Sequence, residues 1–268
     1  MSSLHNHNRN AWDKLARNQQ PLTLPATERH FQDPLNAIDG VGWLNGDVSG
    51  QKILCLAAGG GKQSALCAEA GAEVTVVDIS PAMLEKDRQV ARERNLNIRV
   101  IEASMDDLSM LDNEQYDIVI QPVSTCYVPD ISAVYREVAR VTRPDGLYIS
   151  QHKQPASLQA EPDTSRQSYV LTEPYYRSGP LPPAPAHSRT REHGTHEFLH
   201  RWEQLLGELC RSGFVIEDLM EPDHADRSSA PGSHGHRGYY VAPYVCIKAR
   251  RLNRTVKPAS SGIWIPQT

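Results

Sequence analysis

The chain has 268 residues, with 28 Lys and Arg against 32 Asp and Glu, a formal net charge of -4. That balance supplies no global field for nucleic acid or anionic lipid, and the length suits one α/β domain with added segments. Cys55, Cys67, Cys126, Cys210 and Cys246 are odd in number, widely spread and free of CxxC spacing. They argue against a disulfide framework or a thiolate zinc knuckle and fit a reducing compartment. The opening MSSLHNHNRN has no apolar signal core, and nowhere do about 18 apolar residues run together. A soluble, cytoplasmic protein is expected, with neither nucleic acid nor membrane as partner. The cationic run from Lys248 to Lys257 lacks interleaved aromatics and reads as part of a solvated tail over 251–268.

Asn10 to Ala16, with Trp12 and Leu15, predicts a short helix and Pro34 to Leu44 another, so residues 1–45 are expected to form a helical cap over a ligand cleft. Over residues 46–152 short apolar runs alternate with amphipathic stretches, the pattern of a doubly wound α/β sheet with mostly parallel strands. Predicted strands run from Lys52 to Ala57, Val74 to Asp78, Ile98 to Ala103, Asp117 to Gln121 and Leu147 to Ser150. Ser80 and Asp130 are placed to cap the helices that follow them. Residues 153–194 hold Pro155, Pro162, Pro174, Pro180, Pro182, Pro183 and Pro185, which predicts an irregular insertion without a core of its own, placed where a lid could form. Over 195–250 a helix from Thr195 to Ser212 is expected, then strands Phe214 to Leu219 and Tyr239 to Ala249, an antiparallel pair completing the sheet. A polar loop with His224, His234 and His236 joins them.

In an open parallel sheet the ligand lies beyond the carboxyl ends of the strands. Gly59, Gly60 and Gly61 stand there, in a turn where the absence of a Cβ lets the backbone approach a ligand and the next helix offers N–H groups. Asp78 ends the second strand, where a carboxylate accepts hydrogen bonds from both hydroxyls of a ribose. The stretches ILCLAAGGGK (53–62), VVDISPAMLE (76–85), EASMDDLSML (102–111), YDIVIQP (116–122) and VYREVARVTRPDGLYISQ (134–151) then resemble, in order and spacing, the class I S-adenosylmethionine-dependent methyltransferases. The resemblance is to their small-molecule branch, which includes the ubiquinone and menaquinone biosynthesis methyltransferases. It covers Lys52 to Gln151 strongly and Thr195 to Ala249 weakly.

What the resemblance implies is a Rossmann-like sheet of seven strands with the last antiparallel, S-adenosylmethionine as cofactor and a small-molecule methyl acceptor. It also implies that the backbone from Ala57 through Gly59, Gly60 and Gly61 cradles the methionine part, that Asp78 holds the ribose and that Ile79 packs on the adenine. Ser104, Met105 and Asp106 would edge the adenine, and Gln121 would lie near the methyl end. The chain departs from the family pattern at Cys55, usually acidic, at Ala57, usually glycine, and at Ser104, often aspartate. Alanine at 57 is expected to cost little if its backbone lies near the β region.

Methyl transfer from a sulfonium is an in-line displacement, so alignment in a dry pocket is the main requirement. A hydroxyl, thiol or protonated amine also needs a base, whereas a neutral amine or ionised oxygen does not. From the loop after the fourth strand and the end of the fifth, Tyr127 and His152 are the candidates for positioning or proton removal. Lys153 is expected to be a solvated or acceptor-binding charge, and Cys126 a packed side chain. Other readings compete. Gly59, Gly61 and Ser64 approximate the GxGxxG of nicotinamide-dependent oxidoreductases, with Ser64 against it. His196, Glu197 and His200 satisfy HExxH, the zinc hydrolase motif, on the predicted helix. A non-catalytic partner subunit of the same fold is the third.

Overall fold

The computed structural model describes residues 2–163, 165–184, 188 and 190–253. The expected tail therefore lies largely outside the described residues. Helices α1 (Ser3–Arg17), α2 (Glu28–Phe31) and α3 (Pro34–Ile38) precede β1 (Lys52–Leu56), α4 (Gln63–Glu69), β2 (Glu73–Asp78), α5 (Pro81–Arg94) and β3 (Ile98–Glu102). Then come β4 (Tyr116–Gln121), α6 (Ile131–Val141), β5 (Thr142–Lys153), α7 (Pro155–Gln159) and the hairpin β6 (Ala160–Asp163) and β7 (Ser168–Leu171). A π-helical turn (Glu203–Gly207) runs into α8 (Glu208–Arg211), and β8 (Phe214–Met220), α9 (His234–Tyr240) and β9 (Tyr244–Arg251) follow.

The main sheet has the order β3-β2-β1-β4-β5-β9-β8, parallel through β5, with β9 antiparallel to both β5 and β8. It is the α/β methyltransferase fold expected from the sequence. Strand order reverses between β1 and β4, and a ligand crevice opens at that point. The strands are nearly continuous apolar runs because both faces are covered: Leu54, Leu56 and Val119 pack with Val134, Tyr135 and Val138 of α6 on one side, while Ile53, Cys55 and Val76 meet Leu84 of α5 on the other. Both expected caps form, Ser80 Oγ accepting from Met83 N and Asp130 Oδ1 from Ser132 N.

Three sequence expectations are overturned. The helix expected from Thr195 does not begin until Trp202; residues 195–201 form neither helix nor strand. There the Phe198 amide donates to the Cys126 carbonyl at 2.7 Å and the Leu181 amide to the Glu197 carbonyl at 2.7 Å, so long-range partners replace the bonds a helix would make. The insertion is not wholly irregular, since it carries α7 and the β6–β7 hairpin, and its Leu158 and Leu181 pack with Leu199 beyond its end. The loop between β8 and β9 contains α9, capped by Ser233 Oγ accepting from His236 N, so Tyr239 and Tyr240 belong to a helix rather than to the last strand. Among the described residues no helix is long and apolar enough to cross a membrane.

Candidate functional site

A cleft of about 330 Å³ lies at the β1/β4 crevice, bounded by Ala57, Gly59, Asp78, Ile79, Ser104 and Met105 at one end and by Tyr127, Gln151, Glu192 and Tyr244 toward the other. Helix α1 roofs it with His5, Asn8 and Trp12. Polar contacts hold the roof down: Asp13 accepts from Ser80 Oγ at 2.6 Å and from Ala82 N at 3.1 Å, and Asn8 Nδ2 donates to the Tyr127 carbonyl at 2.9 Å.

The glycine turn and the end of β2 touch. The Gly59 amide donates to Asp78 Oδ2 at 2.9 Å, and the Ser80 amide to Asp78 Oδ1 at 2.9 Å. A Cβ on Gly59 would come within 2.9 Å of Met83 Cβ and 3.0 Å of Asp78 Cβ, so only glycine permits this approach. Asp78 is 9% exposed, and burial pushes its carboxyl up to about 6, against the lowering effect of the amides it accepts from.

Gly60 and Gly61 do not line the cleft. Their amides donate to Asp87 at 2.8 and 3.1 Å, and the Ser64 hydroxyl donates to it as well. Asp87 is fully buried, with its carboxyl also pushed up to about 6 by burial. It shapes the turn from behind, and sequence reading missed it. The signal was a carboxylate on the apolar stripe of α5, between Met83 and Leu84 on one side and Val90 on the other.

Ala57 lines the cleft with φ of 47°, in the left-handed region rather than the β region expected of it. That conformation costs a non-glycine residue about 1–3 kcal/mol. Ala57→Gly is therefore expected to raise the unfolding free energy by about 0.5–1 kcal/mol, because the relieved strain exceeds the added entropy of an unfolded glycine. Urea unfolding measures it, and a less stable variant would contradict the assignment of strain.

Ser104, Met105 and Ile79 line the cleft, whereas Asp106 and Gln121 stand behind its wall. Asp106 accepts from the Ser104 hydroxyl and pairs with His5 Nε2 at 3.1 Å. Gln121 is 1% exposed; its amide donates to Ser124 Oγ at 2.9 Å and it accepts from Tyr148 OH at 2.6 Å, which orients rather than lines.

The two residues singled out for proton chemistry separate. Tyr127 lines the cleft, and its hydroxyl donates to Glu192 Oε2. Burial and then the Glu192 charge push its phenol well above the usual range, so it stays protonated and acts as a donor. His152 is not at the cleft. It is fully buried, with Nδ1 2.8 Å from Thr125 Oγ1 and Nε2 2.8 Å from Ser150 Oγ, and burial pushes its pKa down to about 3. An imidazole with both nitrogens engaged and no charged form near neutral pH cannot meet an acceptor.

Lys153, expected to be solvated or to bind the acceptor, is instead 5% exposed and lies between Glu192 Oε2 and Glu197 Oε1, each 2.6 Å from its Nζ. Glu197 Oε2 accepts from Arg191 Nε at 2.5 Å. Glu192 lines the cleft, and its second carboxylate oxygen has no hydrogen bond among the described residues. No motif marked Glu192, because it arrives from the proline-rich insertion. The zinc reading of His196, Glu197 and His200 fails on geometry: the segment is not helical, Glu197 is taken by two cations, and His200 Nε2 faces the carbonyls of Thr125 and Val128, 3.0 Å from each. Cys126 is a buried, packed thiol, as expected.

Comparison with known proteins places this geometry among relatives. Residues 54–150 match the family model described as a methyltransferase domain. An uncharacterized methyltransferase of Bacillus subtilis, YbaJ, is 28% identical over 235 residues, spanning 82% of this chain and 91% of its own. The ubiquinone biosynthesis O-methyltransferase of Xanthomonas oryzae is 30% identical over 124 residues, 44% of this chain and about half of the relative (52%). The crystal structure of an S-adenosylmethionine-dependent methyltransferase from Mesorhizobium loti shares the fold with a TM-score of 0.63 at 23% identity, over 76% of this chain and 93% of that one.

Proposed function

Because the chain belongs to the class I S-adenosylmethionine-dependent methyltransferases, we propose that it methylates a small-molecule acceptor held between Tyr127, Gln151, Glu192 and Tyr244 in the outer part of the cleft. The observation that carries this reading is one continuous cavity of about 330 Å³, running from Asp78 to Glu192 under the roof of α1. That volume is of the size that takes small ligands, and α1 covers it. The cofactor supplies a methyl group on a sulfonium, ready for displacement. Asp78 accepts from the ribose, Ala57 and Gly59 line the methionine end, and Ile79, Ser104 and Met105 meet the adenine. Asp106 and Gln121 hold this wall from behind, as do Gly60 and Gly61 through Asp87.

At the acceptor end Tyr127 positions Glu192, its hydroxyl donating to Oε2. Glu192, fixed on one oxygen by Lys153 and Tyr127, offers the other to an acceptor O–H or N–H and receives its proton. Glu192 brings the insertion to this end of the cleft, where it acts as a closing side chain. Incubation with labelled S-adenosylmethionine and a cell extract should yield a labelled metabolite; label found only in protein or nucleic acid would refute the acceptor class.

The raised pKa of Asp78 fixes a pH dependence. The ionised carboxylate is the better partner for two hydroxyl donors, so affinity for S-adenosylhomocysteine is full above about pH 7 and falls as pH drops through about 6, by close to tenfold for each further unit. Calorimetric titration between pH 5 and 8 checks this. An affinity flat across that range would show that the Asp78 charge plays no part.

A further inference from the structure

A second cavity, of about 170 Å³, lies where the β6–β7 hairpin of the insertion meets α9, and shares none of its lining residues with the cofactor cleft. Its charge is Arg237. This guanidinium is 8% exposed and has no carboxylate within ion-pair distance among the described residues. Its Nη1 donates to the Ala160 carbonyl at 3.2 Å, its Nη2 donates to the Ser157 carbonyl, and its buried Nε has no partner. Glu161, on the same wall, is the carboxylate whose field reaches it without a hydrogen bond. A buried cation without a bonded counter-charge is costly, and burial accordingly pulls the Arg237 pKa below its ordinary value.

Three serine hydroxyls among the other lining residues are already used as acceptors. Ser233 Oγ accepts from His236 N at 3.2 Å, Ser188 Oγ from Arg191 N at 3.0 Å, and Ser157 Oγ from Arg237 Nη2 at 3.3 Å. A hydroxyl that accepts from a neighbour keeps its own proton free to donate. The cavity thus sets three hydroxyl donors around a guanidinium that no carboxylate bonds among the described residues, with Glu161 on the same wall.

We propose that this cavity is a binding site for a phosphate-sized oxyanion, either free or as the end group of a phosphomonoester, with Arg237 supplying the charge and Ser157, Ser188 and Ser233 the hydroxyl donors. The bound anion bridges α9 to the insertion. Ser188 also accepts the amide of Arg191, next to Glu192, so occupancy of this site steadies the segment that reaches the cofactor cleft.

The test is calorimetric titration with inorganic phosphate and, separately, glycerol phosphate, at constant ionic strength and with the cofactor cleft saturated by S-adenosylhomocysteine. The wild type is expected to bind at least one of them. Arg237→Lys, which keeps the charge but loses the fork, should weaken binding by about tenfold or more. Thr190→Glu, which adds a second carboxylate to the wall that already holds Glu161, should abolish it while leaving S-adenosylhomocysteine affinity unchanged, a result that also shows the variant folds. Binding of the monoester alone identifies an end group, and binding of phosphate alone a free anion. No heat with either ligand, or equal affinity in wild type and Thr190→Glu, overturns the proposal.

Discussion

Replacing Asp78 by alanine is expected to raise the dissociation constant of S-adenosylhomocysteine about a hundredfold, because two hydrogen bonds to a charged group are worth about 1.5–3 kcal/mol each, and part of that is recovered by water. The same change removes the acceptor of the Gly59 amide at 2.9 Å, which frees the turn that lines the cleft. Loss of affinity should come without loss of fold, since a buried carboxyl with its pKa pushed up to about 6 opposes rather than supports folding near neutral pH. Calorimetry with the folded variant measures the effect. A change under about threefold would remove Asp78 from the ribose site.

The largest stability effect is expected at Glu197. This carboxylate is fully buried and joins Lys153 at 2.6 Å to Arg191 at 2.5 Å. Burial opposes the charge on Lys153, but the acidic groups around it more than restore it, so the ammonium persists well above its ordinary pKa. Glu197→Ala leaves Arg191 without its carboxylate and Lys153 with Glu192 alone, and should lower the unfolding free energy by about 3–5 kcal/mol. Urea unfolding reads this directly. A loss below about 1 kcal/mol would mean that both cations find other partners, and that the network does not hold the insertion in place.

The fold was legible where local pattern and tertiary demand agree. The apolar runs of β1, β2 and β4 are buried on both faces, and Ser80 and Asp130 cap the helices they precede, so pattern and structure coincide there. They diverge at 195–201. The spacing of Phe198, Leu199 and Trp202 is helical, but two backbone bonds to other segments and the ion pairs on Glu197 decide the conformation, and none of those partners is near in sequence. The Gly59 and Asp78 end of the cleft was legible because one strand, one turn and one acidic residue form it. The Glu192 end was not. His152 and Tyr127 lie on neighbouring elements, but the imidazole is buried and bonded on both nitrogens, whereas the phenol is at the cavity wall. Glu192 reaches that wall from a proline-rich segment whose composition says nothing of where it folds. Asp87 was visible only as a charge out of place on an apolar stripe.

A crystal structure of the protein with S-adenosylhomocysteine tests the central claim most directly. The expected result is density for the nucleoside in the cleft between Gly59 and Met105, with both ribose hydroxyls within hydrogen-bond distance of the Asp78 carboxylate. A nucleoside bound elsewhere, or in this cleft with its ribose turned away from Asp78, would contradict it.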